Sequence, residues 1–166
     1  MTQSYVSMVV VHCMFLVNRS STMSFFRVFD SSNINTKLLQ SDSNFPLQFS
    51  SVLASYVSGS AVQISPIDPD TCSGLQLIEG HDHNIHVHRT QTGNHIVFFT
   101  DVVTTFTKPL FDACYTALVD TVLRHPTYEL DHTGAFQTIT AKSYEVFAKR
   151  VDDIVASFVR KGGAAV

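Results

Sequence analysis

The sequence predicts a three-layer α+β sandwich in which five mainly antiparallel strands carry one helix on one face and two on the other, in the order β-β-α-β-β-β-α-α. Three observations predict it. Runs rich in β-branched and aromatic residues occupy 5–29 and 75–100, whereas the apolar period lengthens to that of a helix over 45–59 and again after Asp101. With 166 residues, 45% of them hydrophobic and 15% charged, the chain has material for one core without staples.

The first run, Tyr5 to Leu16, is too apolar for a half-exposed strand and reads as a central strand buried on both sides. Polar residues Asn18 to Ser21 break it, and Met23 to Phe29 returns as a hairpin partner. Residues 30–45 are dominated by Ser, Asn and Asp and read as a surface loop. Phe49, Val52, Leu53, Tyr56 and Val57 then follow helical spacing, and Pro66 and Pro69 forbid its continuation. A three-strand meander is expected next, over Leu75–Glu79, Asn84–Thr90 and His95–Thr100. In its middle strand Ile85 and Val87 alternate with His86 and His88, which predicts a covered face and a solvated polar face. A second helix is expected over 107–124, with Pro109 in its first turn and Pro126 as its stop. The last helix is expected from an N-cap at Thr133 to Gly162-Gly163, and 161–166 reads as a flexible tail of a single domain, 1–166.

A net charge of −3 supplies no positive field to gather phosphates, so nucleic acid is an unsuitable partner. Cys13, Cys72 and Cys114 are odd in number and lack a CxxC pair, which fits buried thiols in a reducing compartment. The apolar stretch Tyr5–Val17 is too short to cross a bilayer of about 30 Å as a helix and lacks a basic flank before it.

Five of the eight histidines, His81, His83, His86, His88 and His95, fall between 81 and 95. His86 and His88 share a strand face, and His95 across the following turn makes a three-histidine metal site conceivable. Against it, Asp82 is the only carboxylate in the segment and no HExxH spacing occurs, so the expectation is no metal and no cofactor. No GxSxG elbow, GxGxxG or phosphate-binding loop marks a catalytic centre either, and no catalytic residue is assigned. Thirteen Phe in so small a domain suggest surplus aromatics for an interface.

The segment from Ile85-His86 through Thr90-Gln91-Thr92-Gly93, followed by a strand and Asp101, resembles the strand-turn segment of the small longin-like subunits of TRAPP, the transport protein particle. Ile64-Ser65-Pro66, Ser73 to Glu79 and His125-Pro126-Thr127-Tyr128 match in order and spacing, so the resemblance spans about 46–158 and is shared by the synbindin branch and its shortest sister subunit. Asn94-His95 and Thr127 depart from the family pattern, and the insertion of animal synbindin is absent. The resemblance implies a longin-like (SNARE-like) fold and a non-catalytic subunit of a vesicle-tethering complex in transport from the endoplasmic reticulum to and within the Golgi. Its implied partners are other TRAPP subunits in a hetero-oligomer and, through the assembled complex, a Rab-family GTPase. It implies a cytoplasmic location and membrane association only through the complex. Other longin domains bind peptides in a groove beside the first helix, which points here to Tyr56, Leu75 and Leu77. Two rival readings are a longin-type SNARE or adaptor small chain and a metal-dependent enzyme using the histidines. The SNARE would need a heptad segment and an anchor after residue 160, and the sequence stops at Val166.

Overall fold

The computed structural model describes residues 10–18, 23–29, 76–104, 107–124 and 141–163. Among these residues there are five strands: β1 (Val11–Val17), β2 (Met23–Val28), β3 (Leu77–Glu79), β4 (His83–Arg89) and β5 (His95–Asp101). They form one sheet in the order β2-β1-β5-β4-β3, and every neighbouring pair is antiparallel. Helix α1 (Lys108–Leu118) runs on into a π-helical turn (Val119–Leu123), and α2 spans Ala141–Gly163. The expected helix over 45–59, the loop at 30–45, residues 5–9 of the first strand, Pro126 and the Thr133 cap lie outside the described residues.

Strand β1 is buried at all seven positions, as a central strand clad on both faces must be. Its alternation sorts the core into two. Met14 and Leu16 join Phe25, Ile96 and Phe98 beneath the two helices, whereas Cys13 and Phe15 join Val87 and Val97 on the opposite face. Both described helices therefore lie on one side of the sheet, as expected of the last two.

Each helix covers its own half of that side. Phe111 of α1 stacks on His88 of β4 with ring centroids 4.7 Å apart. In α2, Phe147 packs edge-on against Phe25 of β2 at 4.7 Å, and Tyr144 lies 4.9 Å from the same ring. The Tyr144 hydroxyl donates to the Phe26 carbonyl at 2.9 Å, and Arg27 forms a bidentate pair with Asp152, its Nε 2.9 Å from the carboxylate. In the β1–β2 register Phe29 N donates to His12 O, so the peptide groups of Phe26 alternate to the outer side of β2. Tyr144 thus caps a carbonyl on the sheet edge, a device that discourages a foreign strand from pairing there.

Two hairpin turns set the register of the meander. At the first, Gly80 N donates to His83 O at 3.0 Å, and a Cβ on Gly80 would stand 2.5 Å from that oxygen. At the second, Gly93 adopts φ 83°, the left-handed region that favours glycine. Thr90 Oγ1 donates to Asn94 O at 3.1 Å and accepts from Asn94 N at 3.0 Å, while Asn94 Nδ2 donates to Thr92 Oγ1 at 2.9 Å. The Thr-x-Thr-Gly pattern therefore makes a turn closed by its own side chains, in which only the buried Asn94 Oδ1 has no hydrogen-bond partner among the described residues.

The helix expected over 107–124 is continuous, but it widens after Leu118, where Arg124 N bonds to Val119 O at 3.0 Å. Asp120 in this turn faces Arg124 at 3.3 Å and Arg150 of α2 at 3.6 Å. Helix α2 ends at Gly163, as expected from the Gly162-Gly163 pair, so it includes the first three residues of the expected 161–166 tail; two glycines weaken a terminal turn without forbidding it.

Because Phe147 is fully buried between α2 and β2, Phe147→Ala is expected to cost about 3–5 kcal/mol. The measurement is a lower urea midpoint with an unchanged slope.

Candidate interaction surface

The histidine segment does not form one site. In the β4–β5 register His88 stands opposite Ile96 and His86 opposite Phe98, while His95 stands opposite Arg89. His86 and His88 therefore face α1, and His95 faces the other side of the sheet. The five-residue turn from Thr90 to Asn94 fixes this parity, so the conceivable triad of His86, His88 and His95 is split by the sheet itself. Among the described residues no group of three His, Cys, Asp or Glu is placed to hold a metal ion.

The expected solvated histidine face is likewise corrected. His86 is buried and its Nε2 donates to the Thr104 carbonyl at 3.1 Å. His88 is half-buried, with Nε2 at 2.8 Å from Thr107 Oγ1 and its ring between sheet and helix. An imidazole satisfies both demands of this position, since its faces pack like an aromatic ring while its edge meets a hydrogen-bond partner. Thr107 precedes α1, and its hydroxyl serves His88 rather than capping the helix amides. The ladder continues outward, with Phe111 stacked on Tyr115 at 5.9 Å and the Lys108 ammonium 4.9 Å from the Phe111 ring. His83 lies on the opposite face, edge-on to His12 at 5.2 Å. Among the described histidines only His81 is at a fully exposed turn, where its Nδ1 pairs with Asp82 Oδ1 at 2.8 Å.

Burial pushes the His88 pKa down from 6.5 to about 4, helped by neighbouring His86 and Lys108; burial also lowers those of His86 and His95. Burial pushes the Cys13 and Cys114 thiols up to about 12, which leaves both as inert packing groups. Cys72 lies outside the described residues.

Of the groove residues expected from sequence, Tyr56 and Leu75 lie outside the described residues. Leu77 is 40% exposed on the outermost strand. Being opposite His86, it shares the helix-covered face, whereas Ile78 belongs to the other face. The described phenylalanines are all buried or half-buried, so the expected surplus of exposed aromatics is not found among them; the exposed large apolar residues among the described ones are Leu77, Val102, Val103, Val146 and Val159. Sequence reasoning missed Val102 and Val103, which follow Asp101. The signal was available, since two valines fill a turn between a strand and a helix.

A histidine kept neutral by its fold binds fewer protons than the unfolded chain between pH 6.5 and about 4. Stability is therefore complete above pH 6.5 and declines as pH falls through this window. His88→Phe, which keeps the stack on Phe111, is expected to remove about 1–2 kcal/mol of that decline, allowing for partial solvation of the ring. Thermal melts of both proteins from pH 7.5 to 4.5 check it, and parallel midpoints at every pH would refute the assignment.

The sheet of five antiparallel strands, with two helices packed on one face, is consistent with the expected α+β longin-like architecture. A model of the Sybindin-like family matches residues 11–158. A search of curated proteins returns no match. Since the family match runs from β1 nearly to the end of α2, the chain belongs to the Sybindin-like family, the family of TRAPP small subunits.

Proposed function

We propose that this chain is a non-catalytic subunit of a TRAPP-type vesicle-tethering complex and contributes to the part of it that promotes nucleotide exchange on a Rab-family GTPase. The family match over residues 11–158 is the observation that carries this reading. The site geometry supports it, because His86 and His88 are spent on packing and on hydrogen bonds to the Thr104 carbonyl and the Thr107 hydroxyl. Work falls to the surface the domain presents.

In this reading the chain acts at cytoplasmic surfaces of the endoplasmic reticulum and Golgi and reaches membrane through its neighbours. No helix among the described residues is long and apolar enough to cross a membrane. A partner contact is proposed at the groove of Tyr56, Leu75 and Leu77, supported by the exposure of Leu77 on the edge strand.

Co-expression with the other TRAPP small subunits, followed by size-exclusion chromatography and timed nucleotide release from a Rab GTPase, tests the proposal. The chain is expected to co-elute with them, and exchange is expected from the assembly but not from the chain alone. Exchange by the isolated chain, or failure to associate, would refute it. Leu77→Glu is expected to weaken association roughly tenfold without moving the melting temperature; unchanged association would remove Leu77 from the contact.

A further inference from the structure

The connection from β5 to α1 breaks two rules of turn chemistry together. Thr104 N donates to Asp101 O at 3.1 Å, closing a four-residue turn with Val102 and Val103 at its corners. Corner positions ordinarily take Pro, Gly, Asn, Asp or Ser, and apolar β-branched residues ordinarily seek the core. Here Val102 is 40% exposed and Val103 62% exposed. One exposed valine is unremarkable, but consecutive valines at both corners forgo burial and turn preference alike. Local rules are broken most often where a surface is used.

The turn is also held rigidly. Asp101 N donates to Val10 O at 3.2 Å, and Val10 N donates to Thr104 Oγ1 at 3.1 Å. Asn84 Nδ2 donates to the Val102 carbonyl at 3.3 Å, and His86 Nε2 donates to the Thr104 carbonyl at 3.1 Å. Thr104 itself is fully buried. Strand β4, the end of β5 and Val10, just before β1, thus fix the backbone that carries the two valines, so little conformational entropy remains to be lost when they are covered.

The surroundings say what kind of cover fits. His83 pairs with Asp101, so the β3–β4 turn bearing Asp82 lies beside the valines at the same end of the sheet. The Asp82 carboxylate is largely exposed, and its pairing with His81 holds it below the usual carboxylate range. Acidic groups beside two small side chains oppose insertion into an anionic bilayer surface. A twofold contact between copies would set Asp82 and Asp101 near their own counterparts. A different protein, with an apolar pocket and cationic rim, meets neither obstacle.

We propose that Val102 and Val103 form a preorganised apolar knob that docks into a cation-rimmed apolar socket on another subunit. The proposal rests on the reading of this chain as a subunit and adds a contact at the sheet end, separate from Leu77 on the edge strand.

The test uses the full chain co-expressed with the other TRAPP small subunits, in unmodified form and as Val103→Glu, Val103→Ser and Asp82→Asn. Val103→Glu is expected to weaken association at least tenfold and Val103→Ser by less, with melting temperatures unchanged. Asp82→Asn is expected to reduce the loss of binding between 0.1 and 0.5 M salt. If the unmodified chain assembles and Val103→Glu assembles equally well, the knob is refuted while the subunit reading stands. If the unmodified chain assembles with no subunit, both fall. Binding to phosphatidylserine vesicles, or self-association, that Val103→Glu abolishes would also overturn the proposal, because the cover would then be lipid or a second copy.

Discussion

The fold depends on β1 being threaded between β2 and β5. All seven of its residues are buried, and it is hydrogen-bonded on both edges. Remove it and the sheet separates into an isolated β2 and a β5-β4-β3 meander, each with an uncovered edge. The helices inherit this dependence, since α2 grips β2 through Phe25 while α1 sits on β4 through His88. Only β1 and its β5 pairing make those two anchorages parts of one surface. The cost is entropic: β1 and β5 are far apart in the chain, and that loop must close before their contacts form.

The buried imidazoles show how a polar residue can be held in a packed layer. His86 and His88 point into the space between sheet and helix, where a charged ring would be heavily penalised, and both are held neutral by that burial. Their hydrogen bonds reach Thr104 and Thr107, both in the short link from β5 to α1. The histidines therefore fasten the helix's approach to the sheet. This gives a physical role to the most conspicuous sequence feature without recruiting it to chemistry.

Membership of the TRAPP small-subunit family and this architecture point the same way. The described surface leaves apolar residues exposed on the β3 edge at Leu77, at the sheet end in the valine pair, and on α2 at Val146 and Val159. At the other edge, Tyr144 and the Arg27–Asp152 pair tie β2 to its own helix. A domain with one edge engaged internally and contacts available elsewhere suits an assembly in which each neighbour has its own place.

Periodicity alone was enough for the type of nearly every described element, because the face a residue presents along one strand or helix is a local property. The β-rich runs became five strands, the helical stripe from Leu110 to Val122 became α1 and its π turn, and Gly93 marked its turn through a backbone angle few other residues adopt. What the sequence left open was which face met which layer. His86 and His88 alternate with Ile85 and Val87 whichever side is covered, and only the packing of Phe111 placed the imidazoles inside. His95 could be grouped with them until the Thr90–Asn94 turn set the register, which fixed its side chain on the opposite face. Parity within a strand is written in the chain; parity between strands is decided by the turn and by what the assembled sheet must bury.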